Sequence, residues 1–270
     1  MKARVLGSAA GGGSPQWNCH CDVCTAVRSG AGHPRTQSSL AVTVDDRQWF
    51  LFNASPDVRT QVDGLRLSAV LLTDAELDHT AGLLLLREAD VVELYATPAV
   101  YETLHDGSGL LPLLARYCRV EWRPVDLGVE FVLAPGLSCR AFDVPTTKRD
   151  RFGVGVGAGR VVGYRITDTH SGGTLVYLPG AQALPSLDPA DVLLFDGSFF
   201  RDDEMGPART ARDMGHLPIL DSLEPLSGFR RVIYVHINNT NPILLDDSPE
   251  RRAVEARGLE VAMDGLEIEL

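Results

Sequence analysis

The chain has 270 residues, 44% of them hydrophobic and 23% charged, and a formal net charge of −11; this is the composition of a folded globular protein. The acidic balance argues against a general nucleic-acid binder, which presents a basic surface, and no run of about eighteen apolar residues is present to span a membrane. The N-terminus, Met1-Lys2-Ala3-Arg4-Val5-Leu6, enters a strand at once and lacks a signal-peptide core, which suggests a cytoplasmic protein. No linker, repeat or low-complexity tract divides the chain, so one domain over residues 1–270 is expected.

The first strand runs into Gly7-Ser8-Ala9-Ala10-Gly11-Gly12-Gly13-Ser14-Pro15. Three consecutive glycines permit a tight loop or close approach to a ligand, but the Lys-Ser/Thr ending of a phosphate loop is missing. Trp17-Asn18-Cys19-His20-Cys21-Asp22-Val23-Cys24 follows. In a reducing compartment, Cys19, Cys21 and Cys24 at Cys-x-Cys-x-x-Cys spacing suit a tetrahedral Zn2+ whose fourth ligand comes from elsewhere, or from His20 in strained geometry between two ligands. A catalytic thiol lacks a paired base, and Cys118 and Cys139 have no spacing partners and read as core.

Residues 40–44 and 49–52 alternate around Asp45-Asp46 as a β-hairpin. It ends in the polar turn Asn53-Ala54-Ser55-Pro56-Asp57, with Ser55 as the expected N-cap of a short helix over 58–62. Ala69-Val70-Leu71-Leu72 reads as a buried strand that stops in Thr73-Asp74-Ala75-Glu76-Leu77-Asp78-His79, before Leu83-Leu84-Leu85-Leu86 resumes. Asp74, Glu76, Asp78 and His79 are costly to bury without a partner. A metal ion is one such partner; a solvated acidic turn is the alternative.

A strand over 91–94 and a helix starting at Pro98 lead to short segments near 120–122, 130–133 and 137–142, which read as strands of a second sheet. The polar stretch 143–151 is expected to face substrate, ahead of the glycine-rich 153–157. Strands over 161–166, 174–178 and 192–195 follow, the last ending in Asp196-Gly197-Ser198. Residues 209–217 are expected to open a helix carrying His216, a site candidate or else a capping or core histidine. A strand over 231–235 ends in His236-Ile237-Asn238-Asn239-Thr240, and a helix over 249–257 and a strand over 266–270 close the chain. Asp78-His79, Asp196 and His236 thus each follow an apolar strand, as in α/β proteins with a site along one sheet edge. Two imidazoles and one carboxylate with open positions suit non-haem Fe(II), and zinc can use the same donors.

These blocks carry a resemblance. Asp74-x-Glu76-x-Asp78-His79, followed by Gly82-Leu83, is similar to the His-x-His-x-Asp-His signature of the metallo-β-lactamase superfamily with its first two histidines replaced. The cysteine spacing resembles the structural zinc loop of the phosphodiesterase branch. The glycine loop, Gln16-Trp17-Asn18-Cys19, Arg35-Thr36-Gln37-Ser38-Ser39, Asn53-Ala54-Ser55-Pro56-Asp57, Asp78-His79-Thr80, Met214-Gly215-His216-Leu217 and His236 to Leu244 together resemble the PqqB family of pyrroloquinoline quinone (PQQ) biosynthesis proteins.

The resemblance implies an α/β protein with a metallo-β-lactamase-like αββα sandwich. It implies loss of one hydrolase histidine near Val144-Pro145-Thr146 and of the bridging aspartate near Pro179, which disfavours a dizinc hydrolase. The implied activity is Fe(II)- and O2-dependent hydroxylation of the tyrosine in a Glu-Tyr precursor derived from PqqA, with other PQQ biosynthesis proteins as expected partners. In that reading Asp78, His79 and His236 hold iron, and Cys19, Cys21 and Cys24 hold structural Zn2+. The zinc branch takes its fourth ligand from the position of Asn239, a poor zinc ligand, so that position stays open. His216 is catalytic, bonding the phenol or moving a proton. Asp74 and Glu76 orient ligands from behind. Arg35, Ser55, Asp57 and Asp196 are expected at the substrate, with Lys148, Arg149 and Arg151 as further cations for its carboxylates. A carrier moving the quinone or its precursor towards the periplasm, and a residual hydrolase, are the readings from other classes.

Overall fold

Alternate residues of a strand face opposite sides of its sheet, and in this chain both sides are apolar along the central strands. In the computed structural model, which describes residues 1–153, 157–206 and 208–270, β1 (Lys2–Gly7), β2 (Ser39–Thr43), β3 (Trp49–Phe52), β4 (Leu67–Leu71), β5 (Val91–Ala96) and β6 (Arg119–Pro124) form one sheet. A second contains β7 (Glu130–Ala134), β8 (Leu137–Asp143), β9 (Val162–Asp168), β10 (Thr174–Leu178), β11 (Val192–Asp196), β12 (Val232–Val235) and β13 (Glu260–Val261). The last strand, β14 (Glu267–Glu269), returns to pair with β1. Each sheet begins antiparallel, through β3 or β10, and continues parallel.

One parity class of each sheet meets the other sheet. Leu40, Phe52 and Leu71 pack there against Tyr164, Tyr177 and Leu194. The opposite parity packs on helices. Ala41, Leu51 and Val70 lie under α4 (Pro98–Glu102) and α5 (Leu110–Leu114), whereas Leu193, Phe195 and Tyr234 lie under α6 (Ile219–Leu226) and α7 (Pro249–Glu255). Here α1, α2 and α3 denote Asp22–Arg28, Val58–Gln61 and Leu77–Thr80. The layers therefore run helix, sheet, sheet, helix, the expected αββα sandwich, and each large apolar side chain so buried contributes about 1.5–3 kcal/mol. Among the described residues, no helix is long and apolar enough to cross a membrane.

Three local expectations are corrected. The segment near 120–122 is β6, the edge of the first sheet, because it pairs in parallel with β5; the second sheet starts at β7. Residues 209–217 form successive turns rather than a helix. His216 N–H bonds the Ala211 carbonyl, and Gly215 stands at φ 89, a left-handed value open to glycine that breaks the helical path; α6 begins only at Ile219. Ser55 does not cap α2, whose N-cap is Asp57; the Ser55 hydroxyl instead accepts from Asp57 N–H and donates to Gln61. Of the glycine-rich stretch 153–157, residues 154–156 lie outside the described residues.

The parallel pairs β3–β4 and β11–β12 deliver Asn53, Thr73, Asp196 and His236 to corresponding sheet ends. Bonds from Tyr164 Oη to the Leu72 carbonyl (2.8 Å) and from Val162 N–H to the Thr73 carbonyl (2.8 Å) tie those edges together.

Candidate metal centre

After β4 the chain turns on a buried polar knot. Asn53, at φ 64, donates through Nδ2 to Thr73 Oγ1 (2.9 Å) and accepts from Thr73 N–H (3.0 Å). Thr73 Oγ1 donates to Asp74 Oδ2 (2.8 Å), and Glu76 N–H donates to Asp74 Oδ1 (2.9 Å). Asp74 is thereby aimed at His79 Nδ1, which lies 2.7 Å from Oδ2. A carboxylate facing Nδ1 holds a ring proton there, so Nε2 is the nitrogen left to offer a lone pair to a cation. That Nε2 is buried and has no hydrogen-bond partner.

His236 is presented from the other sheet. It follows β12 at φ 56, an uncommon conformation for a non-glycine residue, and its Nδ1 lies 2.7 Å from Ser198 Oγ. Ser198 Oγ donates to Asp196 Oδ1 (2.6 Å), so it accepts from His236 Nδ1. Asp196, fully buried, also accepts from the Ala181 N–H (2.9 Å) and from His216 Nδ1 (2.7 Å). His236 Nε2 lies 3.2 Å from Asp78 Oδ2, and donor atoms of Asp78, His79 and His236 all lie within 4.8 Å of one another. Asp196, His216 and His236 make a second such trio.

The electrostatics follow from this crowding. Burial opposes charge on His79, yet Asp74 and Asp78 raise it to about 9. Burial likewise opposes ionisation of Asp78, but His79 and the His236 hydrogen bond hold its carboxyl well below the usual range. Burial lowers His236. Two imidazole nitrogens and a carboxylate oxygen converging in a largely buried site favour a proton or a cation between them, and two imidazoles with a carboxylate are a donor set for a divalent transition metal. The residues therefore fit a metal.

The cavity in front of these donors offers about 120 Å³ of space for water and is also lined by His216, Glu76 and Lys148. Asp74 stands behind His79. Glu76 does not brace a ligand; it pairs with Lys148 (2.9 Å) and Arg151 (3.2 Å). Asp196 is behind His216, away from the lumen. Arg35, Ser55 and Asp57, expected at the substrate, do not line this cavity. Arg35 is buried and donates to the His33 and Ala262 carbonyls. Ser55 serves its own turn, and Asp57 accepts from the backbone and side chain of Gln37. Buried polar groups need partners, and here the chain itself supplies them, except to Arg35 Nη2, which has none among the described residues. Ser198, Asn53 and Thr73 were not singled out in the sequence; the available signal was a small polar residue just past an apolar strand.

A second cluster lies at the start of α1. Cys19, Cys21 and Cys24 have sulfurs within 4.8 Å of one another, with Cys21 as the helix N-cap. Burial pushes the Cys21 thiol up to about 11, against the Cys24 N–H bond. Asn239 closes the group: its Nδ2 donates to Cys24 Sγ (3.2 Å), and its carbonyl lies 3.6 Å from Cys24 Sγ and 3.9 Å from Cys21 Sγ.

A family model for the beta-lactamase superfamily domain matches residues 48–237. Coenzyme PQQ synthesis protein B of Azoarcus sp. (strain BH72) is 41% identical over an alignment covering 100% of both chains. The protein of that name from Pseudomonas syringae pv. syringae (strain B728a) is also 41% identical with 100% of both covered. This chain belongs to the PqqB family. PqqB-family membership places it in PQQ biosynthesis. A crystal structure described as Zn(2+)-bound PqqB from Methylobacterium extorquens superposes with a TM-score of 0.90 at 38% identity, covering 100% of each chain. A diphosphatase from the PhnP family shares the fold, with a TM-score of 0.74 at 22% identity and 100% and 97% of the two chains covered.

Proposed function

We propose that this PqqB-family chain hydroxylates the tyrosine of a Glu-Tyr unit derived from PqqA, with Asp78, His79 and His236 holding Fe(II). The observation that carries this reading is the buried, unpartnered Nε2 of His79 converging with Asp78 and His236. Two imidazoles and one carboxylate leave coordination positions open, the set suited to non-haem iron. Bound there, iron would supply the redox chemistry with O2 that protein side chains lack. In the net reaction one oxygen atom of O2 enters a ring C–H bond and the other leaves as water, with two electrons and two protons from an external reductant.

The chain's own residues do the rest. Asp74 and Ser198 hold the Nδ1–H tautomers of His79 and His236, so both Nε2 lone pairs face the cavity. Asp196 anchors His216 through Nδ1 and leaves its other nitrogen to bond the phenol or take a proton from it. Cys19, Cys21 and Cys24 hold Zn2+ as a structural clip beside Asn239.

The test is anaerobic reconstitution with Fe(II), then O2, ascorbate and Glu-Tyr, read by mass spectrometry. The expected product is heavier by oxygen and is lost in His79→Ala. No oxygen incorporation, with tight quinone binding that survives His79→Ala, would replace the hydroxylase by a carrier. Zinc-dependent cleavage of a phosphodiester or lactam would replace it by a hydrolase.

A further inference from the structure

The carboxylates on the cavity wall all have partners. Asp74 holds His79, Asp78 faces His236, and Glu76 binds both Lys148 and Arg151. Asp150 accepts from Thr103 Oγ1 (3.2 Å) and from Phe152 N–H (2.7 Å). Two of the wall's cations therefore share one glutamate as their ion-pair partner. Arg160 is different. It lines the cavity half-buried, and among the described residues no carboxylate makes an ion pair with it.

Its backbone is fixed on both sides. Gly159 N–H donates to Asp143 Oδ1 (2.6 Å), and the Gly159 carbonyl accepts from Thr97 Oγ1 (2.6 Å). On the other side the Val161 carbonyl accepts from Val144 N–H (2.9 Å), and Val162 N–H donates to Thr73 (2.8 Å). A guanidinium on an anchored backbone presents a planar fork that matches a carboxylate. A half-buried cation with no ion-pair partner among the described residues gains from an anion that enters beside it.

We propose that Arg160 is the carboxylate anchor of the cavity, setting which ligands reach the Asp78–His79–His236 centre. It takes the role that the sequence suggested for Arg35, Lys148, Arg149 and Arg151. The choice of Glu-Tyr as ligand rests on the hydroxylase reading; the anchor itself does not.

The experiment is calorimetric titration of the zinc-replete full chain, which cannot turn over, with L-Glu-L-Tyr, L-Gln-L-Tyr, the C-terminal amide of Glu-Tyr, and PQQ. Arg160→Gln should weaken Glu-Tyr binding roughly ten- to a hundredfold, the worth of a charge-assisted bond, and Arg160→Lys should recover part of it. Of the two neutralised dipeptides, the one lacking the anchored carboxylate should bind wild type and Arg160→Gln equally. Unchanged Glu-Tyr affinity in a normally folded Arg160→Gln variant would overturn the anchor and leave the hydroxylase reading standing. So would an equal loss in Lys148→Gln, since the effect would then be general charge. If wild type binds PQQ but not Glu-Tyr, and Arg160→Gln weakens PQQ binding, the anchor stands and the Glu-Tyr reading falls. Binding of neither overturns both.

Discussion

The Ser198 hydroxyl is bonded to Asp196 and lies within hydrogen-bond distance of His236 Nδ1 and His216 Nδ1 (3.0 Å). Removing it in Ser198→Ala leaves a buried imidazole N–H and a buried carboxylate oxygen each short of a partner. The expected cost is about 1–3 kcal/mol in unfolding free energy. Metal affinity, measured by chelator competition, should fall about 10–100-fold, and Ser198→Thr should keep most of both. Glu204 is a second residue with a defined consequence. Burial raises it to about 7 from 4.5, although Thr240 and the Phe200 N–H both donate to it. The folded state then holds a proton that the unfolded chain releases above 4.5, so stability falls as pH rises through this window and the loss is complete above 7. Because His79 also sheds stability on the alkaline side, the reading is the difference: between about pH 5 and about pH 8 the wild type should lose roughly 1–3 kcal/mol more than Glu204→Gln in denaturant unfolding. An equal slope in both would rule out Glu204 as the source.

The element that presents Asp78 and His79 is α3, with the short 3-10 helix Ala81–Leu86 behind it. Its position depends on Gly82, whose N–H donates to the Ala54 carbonyl (2.9 Å). A Cβ added there would collide with the Ser55 carbonyl oxygen and come within 2.7 Å of that of Ala54. Both obstacles are backbone, so α3 has to move. Gly82→Ala is expected to cost about 1–3 kcal/mol by overpacking and to weaken metal binding as Asp78 and His79 shift; a normal melting temperature with normal metal content would show that the loop yields instead. The same logic explains why Gly82 follows Asp78-His79 in the sequence: the helix can reach the sheet end only if it passes directly over the Asn53–Asp57 turn.

Across the whole molecule, the cysteine cluster joins the N-terminal segment to the strand end that carries His236, since Asn239 touches both Cys21 and Cys24. A metal held by those thiolates stabilises the folded state, because the unfolded chain does not assemble the site. Cys21→Ser should therefore lose zinc by elemental analysis and melt several degrees lower, by the rule that about 1 kcal/mol shifts a chain of this size by roughly 2–4 °C. Retention of full zinc would remove Cys21 from the clip.

Strand identity was readable in advance because burial on both faces demands near-continuous apolar runs, as in Leu193-Leu194-Phe195 and Ile233-Tyr234-Val235. The turns that follow were readable because charged residues next to such runs need partners; that is how Asp78-His79, Asp196 and His236 stood out. Which sheet β6 joins was not readable, since a strand pattern carries no information about its neighbour. The same limit applied to Arg35, Ser55 and Asp57: their motifs were visible, but only the folded chain shows their hydrogen bonds directed to Ala262, Gln61 and Gln37. The sequence alone determined the apolar strands and the polar residues at their ends, because periodicity and composition are local properties, whereas the αββα plan and the family followed from the resemblance of its motifs. The tertiary structure decided that Lys148 and Arg151 share Glu76 while Arg160 lines the cavity without an ion pair among the described residues, because charge pairing depends on distances between segments that the sequence leaves far apart.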